Sequence, residues 1–156
     1  QSVMPLAMPY VDHSLVALRL FGDDLDPDEI TRTLGARPTS AHRKGDTIRS
    51  PVSDRTGSRK TGFWLLAATR RTPGDLDSQI QEILEQVTDK PDVWDQLVAY
   101  SPNLSIGLFL VKTNEEIGIS ATAIRTLAAR GIALYFDIYG PTDEDRAKEN
   151  ELTGLR

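Results

Sequence analysis

The chain contains no cysteine and only two histidines, His13 and His42. The absence of cysteine excludes disulfides, thiol catalysis and cysteine-ligated zinc or iron–sulfur centres. Dedicated zinc sites draw several ligands from histidine, cysteine and acidic residues, so two isolated histidines argue against one. We therefore expect no bound metal and no cofactor.

Long apolar runs are also missing. No stretch approaches the ~20 residues of a membrane-spanning helix, so we expect no contact with a membrane. The first residues lack the basic region and continuous apolar core of a signal peptide. A chain without cysteine is compatible with a reducing cytoplasm, and we expect a cytoplasmic location. No nucleophile-and-base signature or phosphate-cradling loop is present, which favours a non-enzymatic function.

The length of 156 residues is typical of one domain, large enough to fold without a metal or disulfide. We expect residues 1–13 to be a leader that is partly non-native. Residues 14–140 should form a single α+β domain. Residues 141–156 are acidic and polar, and we expect them to be a charged, flexible tail with at most a helical turn near Asp145.

The net charge of −5 is distributed unevenly. Residues 37–62 carry seven lysines and arginines against two acids, so this basic segment has a charge of +5 within an acidic chain. Its prolines and glycines predict a loop, with a weak strand at 47–52. Such a segment is a candidate contact for an acidic protein partner or an anionic ligand.

The sequence LDPDEI at 25–30 predicts a helix start. Asp26 suits the N-cap, Pro27 suits the first helical position, and Leu25 and Ile30 occupy the two positions of a hydrophobic staple. Gly35 supplies a left-handed stop after Leu34. These acids are therefore interpreted as capping residues rather than a catalytic pair.

Hydrophobic periodicity predicts further elements along the chain. Strands are expected at 14–21, 63–69, 104–111 and 132–139. Helices are expected from Thr72, from Pro91 through Tyr100 and after Ser120. The fold class is thus α+β, with a single mixed β-sheet and helices mainly on one face. The order predicts a ferredoxin-like βαββαβ core, extended by one helix and one strand.

The last strand has two different faces. Leu134, Phe136 and Ile138 point one way, which suits packing under helices, while Tyr135 and Tyr139 point the other way. That second face is either roofed by the basic segment, a homodimer interface or a partner-binding surface.

Several short motifs in this order resemble one family. They are the first strand, LDPDEIT, Leu34-Gly35, Pro38-Thr39, Lys44-Gly45-Asp46, Phe63-Trp64 and the glycine-led approach to the last strand. Together they resemble a bacterial family of unknown function, number 4279 among the domains of unknown function, over about residues 14–139. The resemblance implies a small domain without an assigned activity, and it transfers no catalytic residue. By analogy, some small bacterial α+β proteins act as immunity or other interaction proteins.

The leading hypothesis is a binding module that contacts an acidic protein, in an immunity-like role, or an anionic ligand. Its expected contact residues are Arg37, Thr39, His42, Arg43, Lys44, Arg49 and Trp64. One alternative is a small hydrolase or transferase that uses His42 with Asp46 or Ser40. A nucleic-acid binder is a second alternative, disfavoured because the basic segment lacks interleaved aromatic residues.

Overall fold

The computed structural model describes residues 11–154, so most of the expected leader lies outside the described residues. The strands are β1 (His13–Gly22), β2 (Ser40–His42), β3 (Thr47–Arg49), β4 (Thr56–Ser58), β5 (Gly62–Ala67), β6 (Asn103–Phe109) and β7 (Ala133–Tyr139). The helices are α1 (Pro27–Leu34), α2 (Leu76–Gln86), α3 (Pro91–Leu97), α4 (Ala121–Ala129) and α5 (Asp143–Thr153). A 3-10 turn, Val98–Tyr100, follows α3. In the described part of the chain, no helix is long and apolar enough to cross a membrane.

Five strands form one sheet in the order β2-β5-β1-β6-β7. All neighbouring pairs are antiparallel except β6 and β7, which are parallel. Strands β3 and β4 form a separate antiparallel ribbon inserted between β2 and β5. The architecture is therefore a mixed α+β fold with a mostly antiparallel sheet.

The core lies on one face of this sheet. Leu18 of β1 pairs with Leu66 of β5 and with Leu104 of β6, and all three side chains are buried. They belong to one apolar cluster that also contains buried residues of the first four helices. Because side chains alternate along a strand, the neighbouring residues of every strand point to the opposite face.

Helix α1 begins and ends as the sequence predicts. The Asp26 carboxylate accepts a hydrogen bond from the Asp28 backbone N–H at 3.0 Å. Leu25 and Ile30 are each only 2% exposed, as a hydrophobic staple requires. Gly35 has a φ of 71°, in the left-handed region that favours glycine.

Four local predictions are wrong. The segment predicted as a weak strand at 47–52 joins the ribbon instead of the main sheet, and the short β2 takes its place. Helix α2 begins at Leu76 rather than near Thr72, because Asp75 provides its N-cap. Residues 98–100, expected to end the helix that starts at Pro91, form a 3-10 turn instead, in which Val98 is 57% exposed. The tail forms α5, which Thr142 and Asp145 start with a capping box.

A buried polar network ties α2 to the sheet. Ser14 and Gln79 are both fully buried. The Ser14 hydroxyl donates to Gln79 Oε1 at 2.6 Å and accepts from the Asp75 backbone N–H at 3.0 Å. Gln79 Nε2 donates to the carbonyls of Ser14 at 2.8 Å and of Thr69 at 3.1 Å. The network satisfies these buried groups where α2 meets β1 and the segment after β5.

Replacing Gln79 with Met removes the three hydrogen bonds of the Gln79 side chain and keeps a similar volume, while the bond from the Asp75 N–H to the Ser14 hydroxyl can remain. We expect the free energy of unfolding to fall by about 2 to 3 kcal/mol, because buried donors and acceptors lose their partners. Urea denaturation measures the change. The matched control is Gln81→Met on the exposed side of the same helix, which should change stability by less than about 0.5 kcal/mol. Equal losses in the two variants would contradict the structural role of Gln79.

Candidate ligand-binding surface

The sheet face opposite the helices is exposed to solvent, and we call it the open face. Leu15 is 43% exposed, Tyr135 59% and Tyr139 48%. Of the three alternatives for this face, a roof formed by the basic segment is excluded over these residues. Because side chains alternate along each strand, the other residues of the open face can be assigned from the register of the sheet. They are His13, Ala17, Arg19, Phe21, Ser40, His42, Phe63, Leu65, Ala67, Asn103, Ser105, Gly107, Phe109, Ala133 and Asp137.

Aromatic side chains form a row at one end of the open face. Phe63 on β5 contacts Phe21 on β1, with ring centroids 5.0 Å apart, and stacks with His42 on β2 at 5.3 Å. These residues are direct cross-strand partners, so the row follows from the register of the sheet.

A second row lies toward the other end. The Phe109 ring stacks on His13 at 4.1 Å and on Tyr139 at 4.5 Å. The Tyr139 hydroxyl donates to Asp137 Oδ2 at 2.7 Å, and this hydrogen bond is the main cause that raises the pKa of Tyr139. The same hydrogen bond orients the phenol ring.

Small side chains separate the two rows. Ala17, Ala67, Ser105 and Gly107 form the floor of a groove of about 310 Å³. Leu15, Leu65, Phe109 and Tyr139 also line this groove, so an extended chain lying in it would contact the second aromatic row.

Arg19 provides the positive charge of the open face. Its guanidinium lies 5.5 Å from the Phe21 ring centroid and 5.9 Å from that of Tyr135. Its Nε donates to Asn103 Oδ1 at 2.8 Å, and Asn103, only 5% exposed, donates in turn to the Ser101 carbonyl. Among the described residues, no carboxylate lies within 4.0 Å of Arg19, and neither terminal guanidinium nitrogen has a hydrogen-bond partner. Arg19 is thus an oriented cation that can bind an external anion.

Two of the expected basic contact residues have partners within the chain. Arg43 Nη2 lies 2.6 Å from Asp26 Oδ1 and 3.2 Å from Asp28 Oδ2. Lys44 Nζ lies 3.1 Å from Asp23 Oδ2, and this hydrogen bond is the main cause that lowers the pKa of Asp23. These ion pairs attach the basic segment to the start of α1, so both cations neutralise acids of the same chain.

The pKa of Asp26 shows how ion pairing competes with desolvation. Desolvation alone raises the pKa of Asp26. The backbone hydrogen bond from Asp28, together with the charge and hydrogen bond of Arg43, outweighs it and leaves that pKa lowered.

The other expected contact residues are scattered. Arg37 and Arg49 are exposed, the first after α1 and the second on the ribbon. Thr39 has a structural role, because its hydroxyl accepts from the Ala67 backbone N–H at 2.9 Å. Trp64 is fully buried and donates to the Thr31 hydroxyl at 3.1 Å, so it lies in the core instead of on a binding surface.

The geometry around His42 gives no support to catalysis. Asp46 accepts a hydrogen bond from the Arg43 backbone N–H at 2.8 Å, which turns its carboxylate into the loop. His42 Nδ1 has no hydrogen-bond partner in the described chain, so neither Asp46 nor Ser40 orients the imidazole through that atom. His42 instead belongs to the first aromatic row.

The sequence interpretation identified Tyr135, Tyr139 and His42 but missed Arg19, Phe21, Phe63 and Phe109. These four residues alternate with core residues along their strands, and that alternation is the signal that identifies them. The seven cations of the basic segment are a strong signal in the sequence, whereas Arg19 is a single cation in an apolar strand.

Comparison with known proteins assigns the chain to a family. Residues 11–141 match the family model described as "Domain of unknown function (DUF4279)". The chain therefore belongs to this family, in agreement with the resemblance in its motifs. Comparisons with curated proteins and with solved structures find no match.

The ion pair of Lys44 predicts a pH-dependent stability. Because the folded pKa of Asp23 lies below its ordinary value of 3.8, the pair stabilises the fold above that pH and loses this effect as the pH falls through the folded pKa. We expect Lys44→Ala to lower the urea midpoint at neutral pH and to have a smaller effect below pH 3.8. The control is Lys60→Ala, which removes an exposed lysine of the same segment. A Lys44→Ala effect that is the same at both pH values would contradict the pairing.

Proposed function

We propose that this chain is a non-enzymatic binding module that receives an extended acidic segment of a partner protein on its open face. Arg19 carries the proposal, because it is fixed by Asn103 and flanked by Phe21 and Tyr135 without an anionic partner in the described chain. A guanidinium that is already oriented loses less conformational entropy when it binds a carboxylate. An aspartate or glutamate of the partner would supply that carboxylate.

The shape of the open face favours an extended peptide. Phe21 and His13 lie eight residues apart on β1, so the two aromatic rows are separated by roughly 26 Å along the strand. The groove of small residues lies between them. A peptide of about eight extended residues matches this length, with apolar side chains against the aromatic walls and an acidic side chain against Arg19.

The basic segment would add long-range attraction for an acidic partner. The ribbon of β3 and β4 is inserted in the β2–β5 hairpin, next to the pair formed by His42 and Phe63. Its exposed Arg49 and Arg55 would attract an acidic partner without a fixed contact.

Nucleic acid fits the open face less well. Among the lysine, arginine and acidic residues of the five-stranded sheet, Arg19 and Asp137 point to the open face. The face therefore offers one cation and one anion. Binding of nucleic acid depends on neutralising several phosphates, and the net charge of −5 opposes it.

The sheet order supports a ferredoxin-like description of the core. Strands β2, β5, β1 and β6 are antiparallel neighbours, and α4 and β7 would then be the added helix and strand. An immunity-like role of a small bacterial module fits this proposal, because such a role requires protein binding without catalysis.

Selection from a random octapeptide display library tests the proposal. We expect enrichment of peptides that combine acidic and apolar residues. Fluorescence anisotropy then compares a selected peptide on wild type, Arg19→Gln and Arg19→Lys. We expect Arg19→Gln to weaken binding about tenfold to a hundredfold, since charge-assisted hydrogen bonds are lost. Arg19→Lys should recover only part of the affinity, because it lacks the planar fork.

Lys60→Gln is the control, and it should change the affinity by less than about twofold because exposed charges contribute little. Circular dichroism verifies that each variant is folded. Selected peptides without acidic residues, or equal binding by Arg19→Gln, would overturn the role of Arg19. Tighter binding to oligo(U) than to any peptide, with a steep salt dependence, would replace a protein partner with nucleic acid.

A further inference from the structure

Strand β7 is an exposed apolar edge of the sheet. It is last in the strand order, next to β6 alone. Phe136 is 49% exposed and Ile138 61%, on the face where a helix was expected to cover them, and Tyr135 and Tyr139 are exposed on the other face. An exposed edge strand with large apolar and aromatic side chains promotes pairing with another strand, and natural proteins usually protect such an edge.

Strand β7 has little such protection: it contains no proline or lysine, and Asp137 is its one charged residue. Helix α5, which follows β7, has no buried residue. It is held at Thr113, whose backbone N–H and hydroxyl donate to Glu149 at 3.0 and 2.7 Å. The opposite edge of the sheet is β2, which has only three residues and offers little backbone for pairing. Strand β7 is therefore the edge that is suited to a second strand.

The backbone of β7 shows which groups are available. The Ala133 N–H donates to the Pro102 carbonyl at 3.1 Å, and the Tyr139 carbonyl accepts from the Leu110 N–H at 2.9 Å. In a parallel pair, alternate residues bond to the neighbouring strand, so Ala133, Tyr135, Asp137 and Tyr139 face β6 and the residues that alternate with them face away. The N–H and C=O groups of Leu134, Phe136 and Ile138 thus point to the free edge.

We propose that β7 pairs in antiparallel orientation with β7 of a second copy, around a twofold axis at Phe136. In this register every edge-facing N–H and C=O of Leu134, Phe136 and Ile138 has a partner. Leu134 lies opposite Ile138 of the second copy, and Phe136 lies opposite its own equivalent. The sheets of the two copies then form one continuous sheet, as in an isologous dimer.

The side chains of the other face also fit this register. The small Ala133 lies opposite the large Tyr139 of the second copy, and Asp137 lies opposite Tyr135. An axis at Asp137 would place the two carboxylates directly opposite each other, which is unfavourable. The charge of Asp137 therefore disfavours that axis. An axis at Tyr135 would leave Ile138 opposite Ile132, outside the strand, so the axis at Phe136 is the one that pairs all three edge-facing residues within β7.

Charge substitutions at Phe136 test both the dimer and its register. Sedimentation velocity should show a wild-type dimer at about 100 μM, where a complex of micromolar Kd is mostly associated. Phe136→Lys and Phe136→Glu should each be monomeric, because each places like charges opposite one another. Their equimolar mixture should regain the dimer, which native mass spectrometry identifies as one copy of each. Val52→Lys, a control at a residue 93% exposed on the ribbon side, should remain dimeric.

Ile138→Pro provides an independent test through the backbone. Proline at this position removes an edge-facing N–H and leaves the hydrogen bonds to β6 in place, so the variant should be a folded monomer. A monomeric wild type, a dimeric Ile138→Pro or a dimeric Phe136→Lys would overturn the proposal. A mixture of the Lys and Glu variants that stays monomeric would overturn the register.

Discussion

The structure depends on one constraint: helices cover one face of the sheet. Side chains alternate along each strand, so every residue buried under the helices has neighbours on the other face. Leu18 and Leu20 of β1 are fully buried, while Arg19 between them is directed to the opposite side. A strand cannot shift its register to bury the second set without exposing the first. The open face is a direct consequence of the core.

The side chains of the open face reduce the apolar area that this arrangement exposes. Cross-strand stacking of Phe63 with His42 and of Phe109 with His13 covers part of the apolar area of each ring. Small residues between the rows leave a groove. Arg19 keeps its charge available for binding, because the two neighbouring aromatic rings and Asn103 hold it in place without neutralising that charge. The basic segment contributes less, since Arg43 and Lys44 neutralise acids near α1.

The sequence predicts the elements with strong local signals. Asp26, Pro27 and Gly35 specify α1 to the residue, because capping depends only on neighbouring residues. The long strands follow from their apolar patterns. Strand β2 was missed because three residues are too few for a pattern, and its pairing with β5 depends on tertiary contacts. The exposure of Phe136 could not be predicted either, since it depends on which helices pack over β7. Arg19 was missed because the partners that orient it come from distant parts of the chain.

We infer that the open face is accessible in solution and is the surface that binds. Hydroxyl-radical footprinting with mass spectrometry measures this accessibility residue by residue. We expect strong oxidation of Tyr135, very little oxidation of the buried Trp64 despite the high intrinsic reactivity of tryptophan, and protection of Tyr135 when an acidic peptide binds. Protection of Tyr135 in the free protein, or its continued oxidation in the saturated complex, would show that the open face is not the binding surface.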